Sequence, residues 1–458
     1  VAHPRPLGWK AECAQTLQIA GPLALANVLQ MLTYAVDVIF IARLGTAELA
    51  ASSLVISILG TLVWSLHGLG GAVAPVIAAE LGARAPALRA VRRSVRMALW
   101  LAVISGLVVM GLLSQGPALM RLTGQDPALI ELAQRYNMVL LWCVVPMVMA
   151  SVLRNFVSAL GRPVLATIIT GLSVLVNATG NYMLVFGNWG APAMGLEGAA
   201  LATIISALFV LAAYIVAIRL DPRLARYRVF GRFWRPDWQR LWQLLRIGLP
   251  ISATILAEAS VFGAAAFLMG RIGADELAAH TLALNIASFA FQVPQGVAQA
   301  TAIRVGYYFG AREPVGLARA GWAGIVMGTA FMLLTALAML LAPQHLLALY
   351  IDPWDPANAG LVAMASTYLM VGAAFQLFDG MQVVGAGALR GLQDTRVPMW
   401  FALFAYWVPG FGLAVGLGFF TALKGLGVWI GLAVGLVFAS ALLLSRWHRR
   451  ERLGLVPR

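Results

Sequence analysis

Apolar stretches long enough to cross a bilayer recur along the 458 residues, and they leave few folds open. A helical crossing needs about 20 predominantly apolar residues. Stretches of that kind lie at about 16–42, 50–79, 94–115, 133–159, 163–186, 196–218, 245–269, 277–306, 317–342, 361–388, 397–417 and 425–446. Backbone polar groups in hydrocarbon must be satisfied inside the protein, so a spanning segment is a helix or a strand of a closed barrel. Barrel strands alternate apolar and polar residues with period two, and these stretches do not. An all-α membrane protein with twelve transmembrane helices is expected. Composition agrees, since 61% of residues are hydrophobic and 11% charged, whereas soluble domains carry about 25% charged residues.

The net charge of +14 would suit a nucleic-acid binder, but its placement does not. With the amino terminus in the cytoplasm, 27 of the 32 Lys and Arg residues fall on the cytoplasmic side. They run from Arg5 and Lys10 through the Arg84–Arg96 cluster and the Arg219–Arg246 run to the tail beyond Arg446. Only Arg43, Arg121, Arg135, Arg271 and Lys424 fall opposite. That asymmetry orients membrane proteins, so both termini are expected in the cytoplasm, with the bilayer and no nucleic acid as partner. No charged n-region, apolar h-region and cleavage site precede the first stretch, so no removable signal peptide is expected. Cys13 and Cys143 form neither a disulfide framework nor a metal cluster. Leu455–Arg458 reads as the remnant of a protease site. Between the halves, Trp234, Trp238 and Trp242 recur every four residues among arginines, which predicts a short helix lying on the cytoplasmic interface.

The two halves match. A shift of 228 residues places Ile19 and Pro22 on Ile247 and Pro250, and Arg43-Leu44-Gly45 on Arg271-Ile272-Gly273. It also places Glu48-Leu49-Ala50-Ala51 on Glu276-Leu277-Ala278-Ala279, Gly68 on Gly296, and Gly82-Ala83-Arg84 on Gly310-Ala311-Arg312. Each half has an even number of spans, so the repeat is parallel, about an axis along the membrane normal. Two six-helix lobes around a central cleft are expected: residues 1–220, a cytoplasmic linker at 221–244, and residues 245–458. Such an architecture suits alternating access, although duplication alone could also yield a non-transporting scaffold.

Three acids fall well inside spans: Asp37 in the first, Glu258 in the seventh and Asp379 in the tenth. A carboxylate at mid-bilayer costs roughly 2.5–3.5 kcal/mol, so such groups usually face a cavity and mark an ion or proton path. Glu258 aligns with Gln30 and Asp37 with Ala265, which places the two acids about two turns, roughly 10 Å, apart in depth. Amides accompany them. Asn27, Gln30, Tyr34 and Asp37 share one face of the first span, and Thr170, Ser173, Asn177 and Asn181 one face of the fifth. Asn285, Gln292 and Gln299 recur every seven residues in the eighth span with Gln295 beside them, and Gln376 and Gln382 flank Asp379. Each stripe alone serves equally as helix-packing glue; together with the acids they read as walls of a polar cavity. Pro22, Pro75, Pro250, Pro294 and Pro409 can kink their spans.

No phosphate-binding G-x-x-x-x-G-K-[ST] occurs, so ATP is not the drive, and no metalloprotease or Cys/His site is present. His67 and His280 stand isolated. An enzyme is not expected, and neither is a cofactor.

The residues resemble the multidrug and toxic compound extrusion (MATE) transporters, specifically the NorM-type bacterial branch. The resemblance rests on Asp37-Val38-Ile39 with Arg43-Leu44-Gly45, on Glu258-Ala259-Ser260, and on Asp379 leading to Gly387-Ala388-Leu389-Arg390-Gly391 and Asp394-Thr395-Arg396-Val397-Pro398. Asn177 and Asn181-Tyr182 resemble the family's polar fifth helix. It implies the MATE fold, a multi-pass monomer in the bacterial inner membrane, and export of organic cations and drugs in exchange for Na⁺ or H⁺. It also implies that Glu258 and Asp379 hold that cation, Na⁺ included, and that Asp37 matters in the first lobe. Two rivals share the outline. A major-facilitator carrier would carry an Asp-Arg-x-Gly-Arg-type loop where Gly82-Ala83-Arg84-Ala85-Pro86 stands. A lipid-linked oligosaccharide flippase would have a basic cavity in place of acids and amides.

Overall fold

The computed structural model describes residues 6–122 and 124–456, so Arg5, Pro457 and Arg458 lie outside the described residues. Among the described residues the chain is helical, without strands. Twelve long helices follow in order: α1 Trp9–Ala42, α2 Thr46–Arg84, α3 Leu88–Ser114, α4 Pro127–Ala159, α5 Pro163–Phe186, α6 Gly195–Leu220, α7 Trp238–Ile272, α8 Ala274–Ala311, α9 Pro314–Leu341, α10 Pro356–Gly391, α11 Arg396–Phe419 and α12 Gly425–His448. Eleven of them are long and apolar enough to cross a membrane. The other is α8, whose middle carries the amides Asn285, Gln292, Gln295 and Gln299. Its 38 residues, at about 1.5 Å each, still exceed a hydrocarbon core of about 30 Å.

Local chemistry sets the helix starts. Asp126 accepts a hydrogen bond from Ala128 N at 3.0 Å with Pro127 in the first turn of α4, and Glu313 accepts from Gly316 N with Pro314 opening α9. Both are N-cap arrangements. The repeat reappears in three dimensions at the starts of α2 and α8. Gly45 and Gly273 take the N-cap position, and the Glu48 and Glu276 carboxylates fold back over them where a Cβ would stand. Prolines explain the irregularities, because proline lacks an N–H and clashes with the carbonyl four residues back. α2 breaks at Ala72 ahead of Pro75, α4 tightens over Leu141–Cys143 ahead of Pro146, and α11 widens over Tyr406–Gly410 around Pro409. Pro22, Pro250 and Pro294 sit within unbroken helices.

By packing, the chain forms an N-unit, Ala26–Ser252, and a C-unit made of the residues up to Leu25 and from Ala253 onward. Both boundaries fall inside helices, in α1 and α7. The start of α7 therefore belongs to the N-unit and the start of α1 to the C-unit. The two junctions are equivalent under the repeat. In the N-unit, a Cβ on Gly68 of α2 would stand 2.7 Å from Ser252 N. In the C-unit, a Cβ on Gly296 of α8 would stand 2.6 Å from Ala24 N. Glycine at both positions permits the close helix approach on which membrane bundles rely.

In the N-unit, α5 packs on α6, and α4 packs on α2, α3 and α6. In the C-unit, α10 packs on α8, α9 and α12. An aromatic cluster sits in its largely aliphatic core: Trp429 of α12 meets Phe375 of α10 and His280 of α8, each at 5.6 Å between ring centres. At the base of this unit, buried Glu12 takes two hydrogen bonds from Arg304, at 2.8 and 2.7 Å, and one from the Tyr308 hydroxyl at 2.9 Å.

The expected interfacial helix is not a separate element. Trp238 and Trp242 form the opening turns of α7, and Trp234 lies in the turns before it. The i, i+4 spacing was real, but it continued into the transmembrane helix. The preceding linker folds onto the N-unit, where Leu224, Tyr227 and Val229 are buried. Arg92 Nε donates to Tyr227 O at 2.7 Å and Trp100 Nε1 to Phe233 O at 2.9 Å.

Candidate functional site

In the N-unit, α1 turns Gln30, Tyr34 and Asp37 toward a cavity of about 90 Å³. α5 contributes Thr170, Ser173 and Asn177 to the same wall, as its i, i+3, i+7 spacing requires. The volume holds several water molecules. Asp37, 5% exposed, is the one acid among the described lining residues. Its Oδ1 accepts from Asn177 Nδ2 at 3.0 Å and Asn181 Nδ2 at 2.7 Å. Thr203 Oγ1 of α6 lies 3.2 Å from Asp37 Oδ2 and 3.1 Å from the Ala199 carbonyl. Asn181 also bonds Asn177 O at 3.0 Å, which locks the pair one helical turn apart.

Several lining residues went unrecognised in the sequence. Arg154 of α4, counted there only as a cytoplasmic-side charge, reaches this cavity and donates to Asn27 Oδ1 at 2.5 Å. His67 of α2 is not isolated; it lines the cavity beside Trp64, with Nδ1 2.7 Å from Val63 O. A carbonyl only accepts, so Nδ1 carries the hydrogen and Nε2 is left for the cavity. Thr203, Ser206 and Tyr214 complete the α6 side. Asn27 and Asn181 bond to lining residues without lining the cavity themselves.

The C-unit brings Glu258 of α7 and Asp379 of α10 within electrostatic reach of each other, with Arg390 and Tyr406 nearby. Asp379 is 5% exposed, and among the described residues its Oδ1 has no hydrogen-bond partner. The same holds for the side-chain oxygens of Gln376 and Gln382, a turn away on either side, and for the Tyr406 hydroxyl. Gln376 Nε2 donates to Ala287 O of α8 at 3.4 Å. Asn285, Gln292, Gln295 and Gln299 are half-buried on α8, and Gln292 bonds Ser288 O of its own helix at 3.1 Å. Asp37 thus has its partners in one unit, while Glu258 and Asp379 have theirs in the other. Among the described residues none of the three acids is in an ion pair.

The MatE family profile matches residues 22–183 and 250–415, once in each half. The chain is 45% identical to the "Probable multidrug resistance protein NorM" of Mesorhizobium japonicum, covering 97% of this chain and 95% of the relative. It is 40% identical to the protein of the same name from Rhodopseudomonas palustris, covering 99% and 95%. A solved outward-facing multidrug resistance MATE family transporter superposes with a TM-score of 0.86 at 22% identity, covering 98% of this chain and 97% of that one. A MOP superfamily transporter from Pyrococcus furiosus does so with a TM-score of 0.85 at 23% identity, covering 97% and 96%. At those identities the superpositions speak for the fold alone. With its profile matched in both halves and a relative at 45% identity along nearly its whole length, the chain belongs to the MatE family, the multidrug and toxic compound extrusion transporters of the NorM type.

Proposed function

We propose that this protein is a secondary active antiporter that exports organic cations and drugs in exchange for inward Na⁺ or H⁺. It works by alternating access of two lobes, the N-unit and the C-unit, as a monomer in the bacterial inner membrane with both termini cytoplasmic. As a member of its family it is a transporter and not an enzyme. The drug substrates are taken from its relatives' name.

One observation carries the coupling: of the three acids within spans, Asp37 and Asp379 are buried and Glu258 half-buried, and among the described residues none has a basic partner in contact. A buried charge left unpaired is costly, and a bound proton or Na⁺ removes that cost. At Asp37 the hydrogen bonds point the same way. A hydroxyl has one hydrogen, so Thr203 cannot donate to both Ala199 O and Asp37 Oδ2. Both contacts are hydrogen bonds when the carboxyl carries a proton and gives it to Thr203. At Glu258 and Asp379, two neighbouring carboxylates repel each other until a cation is shared between them. The unpartnered oxygens of Gln376, Gln382 and Tyr406 offer acceptors to the same ion.

The cycle follows. Facing outward, the protein takes a cation at Glu258 and Asp379, which weakens its hold on the organic cation and releases it outside. The loaded protein turns inward, gives up the ion and takes new drug, while Asp37 titrates in the other lobe. Inward movement of one charge supplies about 2.3 kcal/mol per 100 mV. Proteoliposomes loaded with a fluorescent organic cation, under imposed Na⁺ and H⁺ gradients applied separately, test this. Transport should follow at least one gradient; transport indifferent to both would reject the antiport.

A further inference from the structure

The cytoplasmic end of α3 carries Arg92, Arg93 and Arg96 in its opening turns, and the linker folds over them. Arg96 is only 8% exposed. Its Nη1 donates to Arg232 O at 3.2 Å, and its Nε has no partner among the described residues. The charged groups facing it are Arg92, Arg93, Arg235 and Asp237. The one acid among them is already engaged: Asp237 Oδ2 accepts from Arg93 Nε at 2.5 Å, and Oδ1 from Arg240 N at 3.2 Å. Glu80, the other acid that bears on Arg93, is held by Arg240 at 2.8 Å. Four guanidinium groups thus share one carboxylate, and a nearly buried one keeps a free donor. Burying a guanidinium without an acid on it is expensive, so the arrangement is complete only with an anion. Guanidinium forks match phosphate oxygens.

From this geometry we infer that the Arg92–Arg96 and Arg235 cluster is a binding site for the phosphate headgroup of an anionic membrane lipid. Trp234, 73% exposed, and Trp238, 65% exposed, flank the cluster, and Trp238 stands edge-on to Trp100 of α3 at 6.3 Å. Exposed indoles beside a transmembrane helix sit at headgroup depth, and basic segments next to such helices draw anionic lipid. A soluble phosphate would have no use for them. The inference depends on the proposed orientation only for which leaflet supplies the lipid, and it is independent of the ion coupling.

Native mass spectrometry of the delipidated full-length protein, titrated with phosphatidylglycerol or phosphatidylcholine, tests it. The wild type should retain phosphatidylglycerol in preference. Each removed charge should lower that preference about fivefold, in Arg96→Gln and also in the exposed Arg235→Gln, where folding is not at risk. Arg121→Gln, away from the cluster, should leave it unchanged. Equal retention of the two lipids, or an unchanged preference in Arg235→Gln, overturns the site. Displacement of phosphatidylglycerol by an equal concentration of inorganic phosphate overturns the lipid as its source.

Discussion

Replacing Asp37 by Asn and by Ala separates its bonding from its charge. Asn177 and Asn181 are 0% exposed, and both donate to Asp37 Oδ1. In Asp37→Asn the side-chain oxygen still accepts both bonds, and the new amide can donate to Thr203, whose hydroxyl turns to Ala199 O. Stability should change by less than about 1 kcal/mol. In Asp37→Ala the Asn181 amide keeps Asn177 O and Oδ1, at 3.0 and 3.2 Å, but Asn177 Nδ2 loses its acceptor. An unsatisfied buried donor costs about 1–3 kcal/mol, so the alanine variant should unfold measurably earlier in a detergent thermal melt. Drug efflux should fall in both variants, because neither can bind a cation at position 37. Full efflux by Asp37→Asn, or equal melting of the two variants, would refute the reasoning.

Other predictions concern packing and pH. Gly296→Ala should destabilise by about 1–3 kcal/mol by forcing α1 off α8, whereas Gly60→Ala, with nothing within 4 Å of its Cβ, should be neutral or slightly stabilising; thermal melts compare them. Glu12→Gln should cost about 3 kcal/mol or more, because Arg304 then loses its buried partner; chemical unfolding measures it. The hydrogen bond from Arg93 holds the Asp237 carboxyl below its ordinary range. Its contribution to linker docking is therefore full above the usual carboxylate pKa of about 4 and is lost as pH falls below it. Limited proteolysis of residues 226–237 should speed up in acid, and Asp237→Asn should remove that dependence.

Much of the fold was legible because bilayer crossing demands long apolar helices, and α8 was read as one of those stretches although its amides leave it outside the eleven helices apolar enough to cross. The linker helix was misread because Trp238 and Trp242 have the same spacing whether they lie on a surface or open α7. The exchanged starts of α1 and α7 left no mark: a repeat shows which residues correspond, not which bundle each packs on. At the site, Asp37 and its amide face stood out as polar residues at helical spacing. Thr203 did not, being one of three hydroxyls, with Ser206 and Tyr214, scattered along a mostly apolar α6, and Arg154 was absorbed into a count of basic residues. Side-chain partnership across helices is a tertiary fact that periodicity along one helix does not carry.

The central claim is that the ion and the drug bind in opposition, with Glu258 and Asp379 holding the ion. Equilibrium binding of a fluorescent organic cation to purified protein, at stepped Na⁺ concentrations and separately at stepped pH, tests it most directly. The wild type should bind the drug more weakly as one of the two cations rises, and Glu258→Gln with Asp379→Asn should flatten that dependence while keeping the fold. The same ion dependence in the double variant as in the wild type would contradict the account.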